Sequence, residues 1–198
     1  SKSPYYVCEL SSFQLDQIVH FNPKVAIITN ITPDHLDRYD YDMSKYALAK
    51  FRITENQSSE DLLILNKDDQ ESMKYFGKIQ TNAQVIYTST AEINEETFTS
   101  NKGITYDISE CNLRGRHNQS NIAQAIEALE SIGLKKRAVE SGISTFQGLA
   151  HRLEFVANVD GVDYINDSKA TNIDSVWYAL DAMKKPIVWI VGGIDKGN

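Results

Sequence analysis

Residues 24–56 read KVAIITNITPDHLDRYDYDMSKYALAKFRITEN, and the order of residue types in this stretch decides the fold. Residues 24–31 are apolar on both faces and rich in β-branched side chains. That is the pattern of a parallel strand covered on both sides, not of one that alternates between core and water. The strand runs into the polar residues Asn30, Thr32, Asp34, His35 and Asp37. From about Ser44 the apolar positions Tyr46, Leu48, Ala49, Phe51 and Ile53 supply one side of a helix, with Ser44 or Asp42 as its N-cap. Strand, charged loop and helix form the repeating unit of α/β proteins, whose ligands bind outside the carboxyl ends of the strands. The acid–His–acid cluster at such an end, followed by Lys50 among apolar neighbours, predicts a metal and phosphate site.

The alternation extends in both directions. Residues 61–66 (DLLILN) and 84–88 (QVIYT) are further strands, and the segment between them reads as a helix starting near Asp68 and stopped by Gly77. Upstream, residues 5–10 (YYVCEL) read as a buried strand ending at Ser11-Ser12, followed by a short helix or irregular segment through Phe13, Leu15, Ile18 and Val19. Within that strand Glu9 must be paired, protonated or bound to a cation, unless the strand is an edge and Glu9 faces water. The whole predicts a parallel α/β sheet, with a small hairpin over residues 91–108 at its edge, turning at Asn101-Lys102-Gly103.

A second polar constellation opens at LRGRHNQSN, where Arg114, Arg116, His117, Asn118 and Asn121 precede a helix over residues 122–132. Asn118 and Asn121 share one face of a helical first turn, where they either meet an anionic or polar ligand or simply cap the helix. Gly133 ends that helix, and residues 135–146 form a shorter one. Residues 152–159 and 162–166 then read as paired strands joined at Asp160-Gly161, a strong hairpin signal. The loop INDSKATN follows, carrying Asp167, Lys169 and Thr171, and leads into a helix over residues 173–183. A buried strand over 187–191 and the glycine-rich turn GGIDKG complete the reading.

The formal net charge of −7 over 198 residues argues against a partner that is a phosphate backbone, so no nucleic acid is expected. No apolar stretch reaches the roughly 18–20 residues that span a bilayer, and SKSPYYVCEL lacks the basic-then-apolar layout of a signal peptide. A cytoplasmic monomer without membrane insertion is the expectation. Cys8 and Cys111, far apart and without CxxC spacing, are expected as buried structural thiols. A complete phosphate cradle G-x-x-x-x-G-K-[ST] is absent, as are HExxH and GxSxG.

CELSSFQLD, NITPDHLDRY, AKFRITEN, GRHNQSN, the Gly148-Leu149-Ala150-His151-Arg152 stretch, INDSKATN and GGIDKG together resemble, in this order, the Mur ligases. The SSFQL run is similar to the branch that adds D-glutamate. The resemblance implies an ATP-dependent, amide-forming ligase that joins D-glutamate to UDP-N-acetylmuramoyl-L-alanine through an acyl phosphate in peptidoglycan precursor synthesis. It implies that Glu9 and His35 resemble Mg2+ ligands and that Lys50 resembles a carbamylated lysine. A desolvated neutral amine can react with CO2, and the resulting carbamate is an oxygen ligand suited to Mg2+. By the same resemblance Asn121, with Asn118 nearby, contacts adenine, Arg152 reaches nucleotide phosphate, and Asp167 accepts from the ribose. Lys169 and Thr171 lie near the amino-acid substrate, with Lys50, His35 and Lys169 as catalytic candidates. Asp195 and Lys196 fall in the glycine-rich loop.

The implied fold is a parallel-sheet ATP-binding central domain over residues 1–148, then the start of a Rossmann-like C-terminal domain over 149–198. A P-loop and an N-terminal domain are expected upstream of Ser1, and more of the third domain past Asn198, so the chain by itself is expected to be inactive. Other readings stay open: a different amide ligase of the folylpolyglutamate type, a metal-dependent hydrolase built on Asp34, His35 and Asp37, or a noncatalytic nucleotide-binding module.

Overall fold

The computed structural model describes residues 5–94, 96–113, 115–171 and 173–193. Their contacts divide the chain into two compact units, Ser1–Thr88 and Ser89–Asn198.

In the first unit β1 (Val25–Ile28), β2 (Leu62–Asn66) and β3 (Gln84–Thr88) form a parallel sheet in that order, Ile27 lying opposite Ile64 and Ile64 opposite Ile86. Parallel neighbours need crossover connections. Here α2 (Met43–Phe51) joins β1 to β2 and α3 (Gln70–Phe76) joins β2 to β3, while a single turn, α1 (Ser12–Leu15), precedes them. In the central strand Leu62, Leu63, Ile64 and Leu65 are all buried, each contributing roughly 1.5–3 kcal/mol. Ala26, Ile28, Leu63 and Leu65 pack with Tyr39, Tyr46, Ala47, Phe51 and Tyr75 into one core.

Local chemistry sets the ends of these elements. Asp42 caps α2 by accepting from the Ser44 N–H at 2.8 Å. The Oδ2 of Asp69 accepts from the Ser72 N–H at 2.9 Å as the α3 cap, and also from the Ile31 N–H at 3.0 Å. One carboxylate therefore starts α3 and holds the chain where it leaves β1. Tyr46, Ala49 and Phe51 of α2 are buried as expected and Ala47 joins them at 0% exposure, whereas Leu48 is 38% exposed. Met43 and Lys50, one turn to either side of Tyr46 and Ala47, are half-buried.

In the second unit α4 (Arg116–Ser131) and α5 (Lys136–Thr145) pack with a hairpin, β4 (Thr97–Thr99) and β5 (Thr105–Asp107), around Phe98, Tyr106, Ile122, Ala123, Ile126 and Val139. This hairpin is its own two-stranded sheet, not the edge of the parallel sheet as the sequence suggested. A second hairpin pairs β6 (Glu154–Val159) with β7 (Val162–Asn166), and α6 (Ile173–Asp181) follows. Its turn has φ of 49° at Asp160 and 83° at Gly161, so both central residues are left-handed, as a primed two-residue turn requires.

Three sequence expectations fail on accessibility. Residues 5–10 and 187–191 form no strand, with Val7 101%, Val188 92% and Ile190 93% exposed. An apolar run can become a strand only where a ladder partner exists, and among the described residues β1 pairs with β2 alone. Cys8 is consequently exposed, while Cys111 is half-buried against the second core. The turn residues Gly192 and Gly193 are described; Asp195 and Lys196 lie outside the described residues, as do Arg114 and Asn172. Among the described residues no helix is long and apolar enough to cross a membrane.

Candidate functional site

In the first unit the predicted residues gather around the chain leaving β1. His35 has φ of 52°, a left-handed conformation uncommon for a residue with a side chain, and caps the 3-10 turn Leu36–Tyr39. Its Nε2 lies 3.7 Å from Asp34 Oδ2. Asp34 is half-buried and Asp37 exposed, so the two acids of the cluster are not equivalent.

Lys50 is half-buried on α2, with its Nζ 5.2 Å from the centre of the Tyr46 ring. Burial pushes its pKa down, and the negative charge of Asp34 pulls it part of the way back. Tyr46 is buried, and its hydroxyl is pushed up to about 12 by burial first, then by Asp34 and Tyr39. Asp34, Tyr46 and Lys50 therefore form one electrostatic cluster, a desolvated amine beside a carboxylate and a phenol that stays protonated. Tyr46 was read from the sequence only as an apolar helix position. Its i, i+4 spacing from Lys50 is the signal that could have found it.

Glu9 does not join this cluster. It is exposed in an irregular segment, not inside a strand, which removes the burial that singled it out. Among the described residues no group of three or more His, Cys, Asp or Glu is placed to hold a metal ion. The donors that fit a hard divalent cation are the half-buried Asp34, His35 and an oxygen donor at Lys50, should its amine carry CO2.

Part of the AKFRITEN motif is scaffold. Arg52 donates through Nη1 to the Asp16 carbonyl and through Nη2 to the Ile18 carbonyl at 3.2 Å. Asn56 Nδ2 donates to the Val19 and Phe21 carbonyls at 3.0 and 3.1 Å. The end of α2 thus staples the segment that follows α1, and Tyr39 adds a hydroxyl bond to Asp16 Oδ2 at 2.9 Å.

In the second unit the turn around Arg152 and the INDSKATN loop are built as one piece. The Leu153 N–H donates to Asp167 Oδ1 at 3.0 Å, and the Lys169 N–H to the His151 carbonyl at 3.0 Å. Asn166 Nδ2 lies 2.8 Å from His151 Nδ1 and 3.3 Å from Glu154 Oε2, which in turn accepts from the His151 N–H at 2.8 Å. Arg152, Lys169 and Thr171 are exposed and Asp167 half-buried.

Helix α4 begins at Arg116, six residues earlier than its apolar periodicity indicates, so Asn118 and Asn121 both lie on it, Asn118 half-buried and Asn121 exposed. The ring of His117 packs on Tyr178 of α6 at 5.4 Å between centroids. Its pKa is lowered, by burial first and then by Arg152, with Asp167 acting in the opposite sense. That field places the start of α4 within electrostatic reach of Arg152 and Asp167, and so brings the predicted nucleotide residues into one neighbourhood. In the sequence His117 and His151 stand within their motifs without a role, and Asn166 and Tyr178 are not singled out at all.

The family model described as "Mur ligase middle domain" matches residues 1–129. The UDP-N-acetylmuramoylalanine--D-glutamate ligase of Christiangramia forsetii is 42% identical over 98% of this chain and 46% of that protein. The proteins of the same name from Cytophaga hutchinsonii and Bacteroides fragilis are 43% and 44% identical, each over 100% of this chain and 46% of their own length. The chain thus spans about half the length of the curated relatives it matches. Among solved structures, MurF from Acinetobacter baumannii superposes with a TM-score of 0.64 at 20% identity, covering 81% of this chain and 37% of that one. The UDP-N-acetylmuramate-alanine ligase MurC from Thermotoga maritima gives 0.62 at 19% identity over 87% of this chain and 40% of that one. These structures support the α/β fold alone.

Proposed function

As the chain belongs to the Mur ligase family through its middle domain, we propose that it is the ATP- and Mg2+-using part of a ligase that adds D-glutamate to UDP-N-acetylmuramoyl-L-alanine. The observation that carries this reading is the 42–44% identity, over nearly all of the chain, to proteins named for that reaction. In the family arrangement residues 1–148 form the central domain and 149–198 open the third, in a cytoplasmic, monomeric enzyme of peptidoglycan precursor synthesis.

The division of labour follows from the chemistry of each group. Asn118 and Asn121 on the first turns of α4 offer amide donors and acceptors to adenine. Arg152 presents a fork of donors to phosphate oxygens. One oxygen of Asp167 is committed to the Leu153 N–H, which leaves the other to accept from a ribose hydroxyl. Lys169 and Thr171, on the same loop, take the D-glutamate. His35, the half-buried Asp34 and a carbamylated Lys50 would hold the divalent ion, while Glu9, the further ligand that the family resemblance implies, is exposed in an irregular segment here. Such an ion would supply charge neutralisation to bound phosphate.

In the reaction, the substrate carboxylate attacks the γ-phosphate of ATP, giving an acyl phosphate and ADP. The neutral D-glutamate amine then attacks the acyl carbon, the C–O bond to phosphate breaks, and phosphate leaves with the proton the amine gives up. Negative charge moves between oxygens in both steps, so fixed cations and N–H donors suffice and no protein nucleophile is required. The test is ADP release by the enzyme carrying this chain, with UDP-N-acetylmuramoyl-L-alanine and a panel of amino-acid acceptors. Turnover confined to D-glutamate is the expected result. Turnover with a folate substrate and L-glutamate, or metal-dependent hydrolysis without ATP, would replace this reading.

A further inference from the structure

Gly115, the N-cap of α4, has φ of 92° and ψ of 152°, and no side chain caps the helix there. A Cβ at this position would stand 3.0 Å from His117 Cε1, 3.1 Å from its Nδ1 and 3.3 Å from Ala182 Cβ. The imidazole therefore folds back over the Gly115 backbone on one side. On the other it meets Tyr178 at 5.4 Å with the rings inclined by 45°, and Trp177 stands edge-on to Tyr178 at 5.1 Å. Glycine gives the ring its space and α6 closes it in. The start of the helix that carries Asn118 and Asn121 thus abuts the helix that follows the Asp167–Thr171 loop.

We infer that His117 is a positioning residue: its ring, wedged between Gly115 and Tyr178, locks the first turn of α4 to α6 and so sets the Asn118–Asn121 face relative to Arg152 and Asp167. The inference rests on the nucleotide-binding reading above. It also makes that alignment sensitive to acid. The charges whose fields reach the ring are Arg152, which opposes protonation, and Asp167, which favours it. Tyr178 is the ionisable group in ring contact from α6, and Arg116 beside it on α4 is exposed. A half-buried imidazolium next to Arg152 is disfavoured on both counts, so protonation loosens the wedge and with it the register of the two asparagines.

The measurement is binding of ATP with Mg2+ by calorimetry over about pH 5–8, the range in which histidine titrates, alongside NMR titration of the histidine Cε1–H signals. His117→Ala is expected to raise Kd about three- to tenfold near neutral pH, the loss of one aromatic contact. His117→Phe should restore wild-type affinity and remove the acid-side weakening. That weakening should coincide with the His117 signal and not with those of His20, His35 or His151. Should His117→Ala fold poorly, Tyr178→Leu removes the same wedge from the other side and is expected to raise Kd similarly. An unchanged Kd in both His117→Ala and Tyr178→Leu overturns the inference while leaving nucleotide binding intact, and so does His117→Phe binding as weakly as His117→Ala. A folded wild-type enzyme carrying this chain that binds no ATP at any pH overturns the nucleotide reading itself.

Discussion

The Leu153 N–H and Asp167 Oδ1, 14 residues apart in the chain, are joined by a 3.0 Å hydrogen bond. Arg152 lies between two left-handed residues, His151 with φ of 66° and Leu153 with φ of 45°, so this bond holds a turn that the backbone alone disfavours. Replacing Asp167 by Ala should destabilise the fold by about 1.5–3 kcal/mol, the range for a hydrogen bond to a charged group, and weaken ATP binding more than tenfold. Asp167→Asn keeps an acceptor for Leu153 and should recover most of the stability. Thermal melts and ATP titrations on the pair separate the turn from the proposed ribose contact, and equal melts for both variants would remove the turn role.

Lys50 and Lys45 on the same helix make an internal control for carbamylation. Burial lowers the pKa of Lys50, whereas Lys45 is held charged by Asp40 at 2.6 Å, which raises its pKa. The neutral amine that reacts with CO2 becomes available as pH rises through the lysine pKa, hence at lower pH for Lys50. Intact-mass and peptide analysis in bicarbonate buffer should find one added CO2, on Lys50. A modification on Lys45 instead, or none at saturating bicarbonate, counts against the reading. Lys50→Leu should abolish ligase turnover while raising stability by roughly 1 kcal/mol, as expected when a desolvated charge is removed from a working site.

Asp61 supplies an acid-sensitive clasp at the start of β2. Its Oδ2 accepts from the Ser58 N–H at 2.8 Å and from the Ser58 hydroxyl at 2.9 Å, and Lys24 Nζ lies 3.1 Å from Oδ1. These bonds, the Ser58 N–H foremost, lower its pKa to about 2. A depressed folded-state pKa means stability that is complete above the ordinary aspartate value of about 4 and lost as pH falls toward the folded value. Asp61→Asn should cost about 1–2 kcal/mol at neutral pH and flatten the stability profile between about pH 4 and 2. Parallel urea melts of both proteins check it, and an unchanged slope in the variant contradicts it.

Glu130 is 6% exposed in the second unit and lies against the buried Tyr106 hydroxyl, whose pKa is raised by burial first and then by the charge of Glu130 and a hydrogen bond to it. Replacing a buried carboxylate with an apolar group of similar size is often neutral or stabilising. Glu130→Met should raise the melting temperature or leave it unchanged. A loss above about 2 kcal/mol would mean that the bond to Tyr106 outweighs the cost of burying the carboxylate.

Gly115→Ala tests the backbone side of the His117 wedge. The φ of 92° is strained for alanine, and a methyl group 3.0 Å from the imidazole would have to push the ring aside. The expected loss is about 1–3 kcal/mol of stability, with the His117 NMR signal moved toward the position of an exposed histidine. A native His117 shift in a stable variant would show that the ring is not wedged there.

How much was legible in the sequence differs from element to element. The parallel strands over residues 25–28, 62–66 and 84–88 were legible because β-branched apolar runs alternate with capped helices, and both signals are local. The Asp160-Gly161 turn was legible because its two residues tolerate the left-handed backbone it requires. Residues 5–10 and 187–191 have the same apolar composition and form no strand, since pairing depends on a neighbour that composition does not reveal. On α2 the burial of Tyr46, Ala49 and Phe51 was legible, but not the exposure of Leu48 or the burial of Ala47, because which apolar positions are covered is set by what packs on the helix.

By itself, then, the sequence determined the α/β class, the caps and turns, and the identity of the chemical groups, because each is written in residues a few positions apart. Only the tertiary structure decided their environments. Lys50 became a desolvated amine over Tyr46, Glu9 an exposed carboxylate, and His117 a wedge against Tyr178 some sixty residues away in the chain. Burial, electric field and ring contact depend on which distant segments meet, and it is these that turn a charged side chain into a reactive or a positioning one.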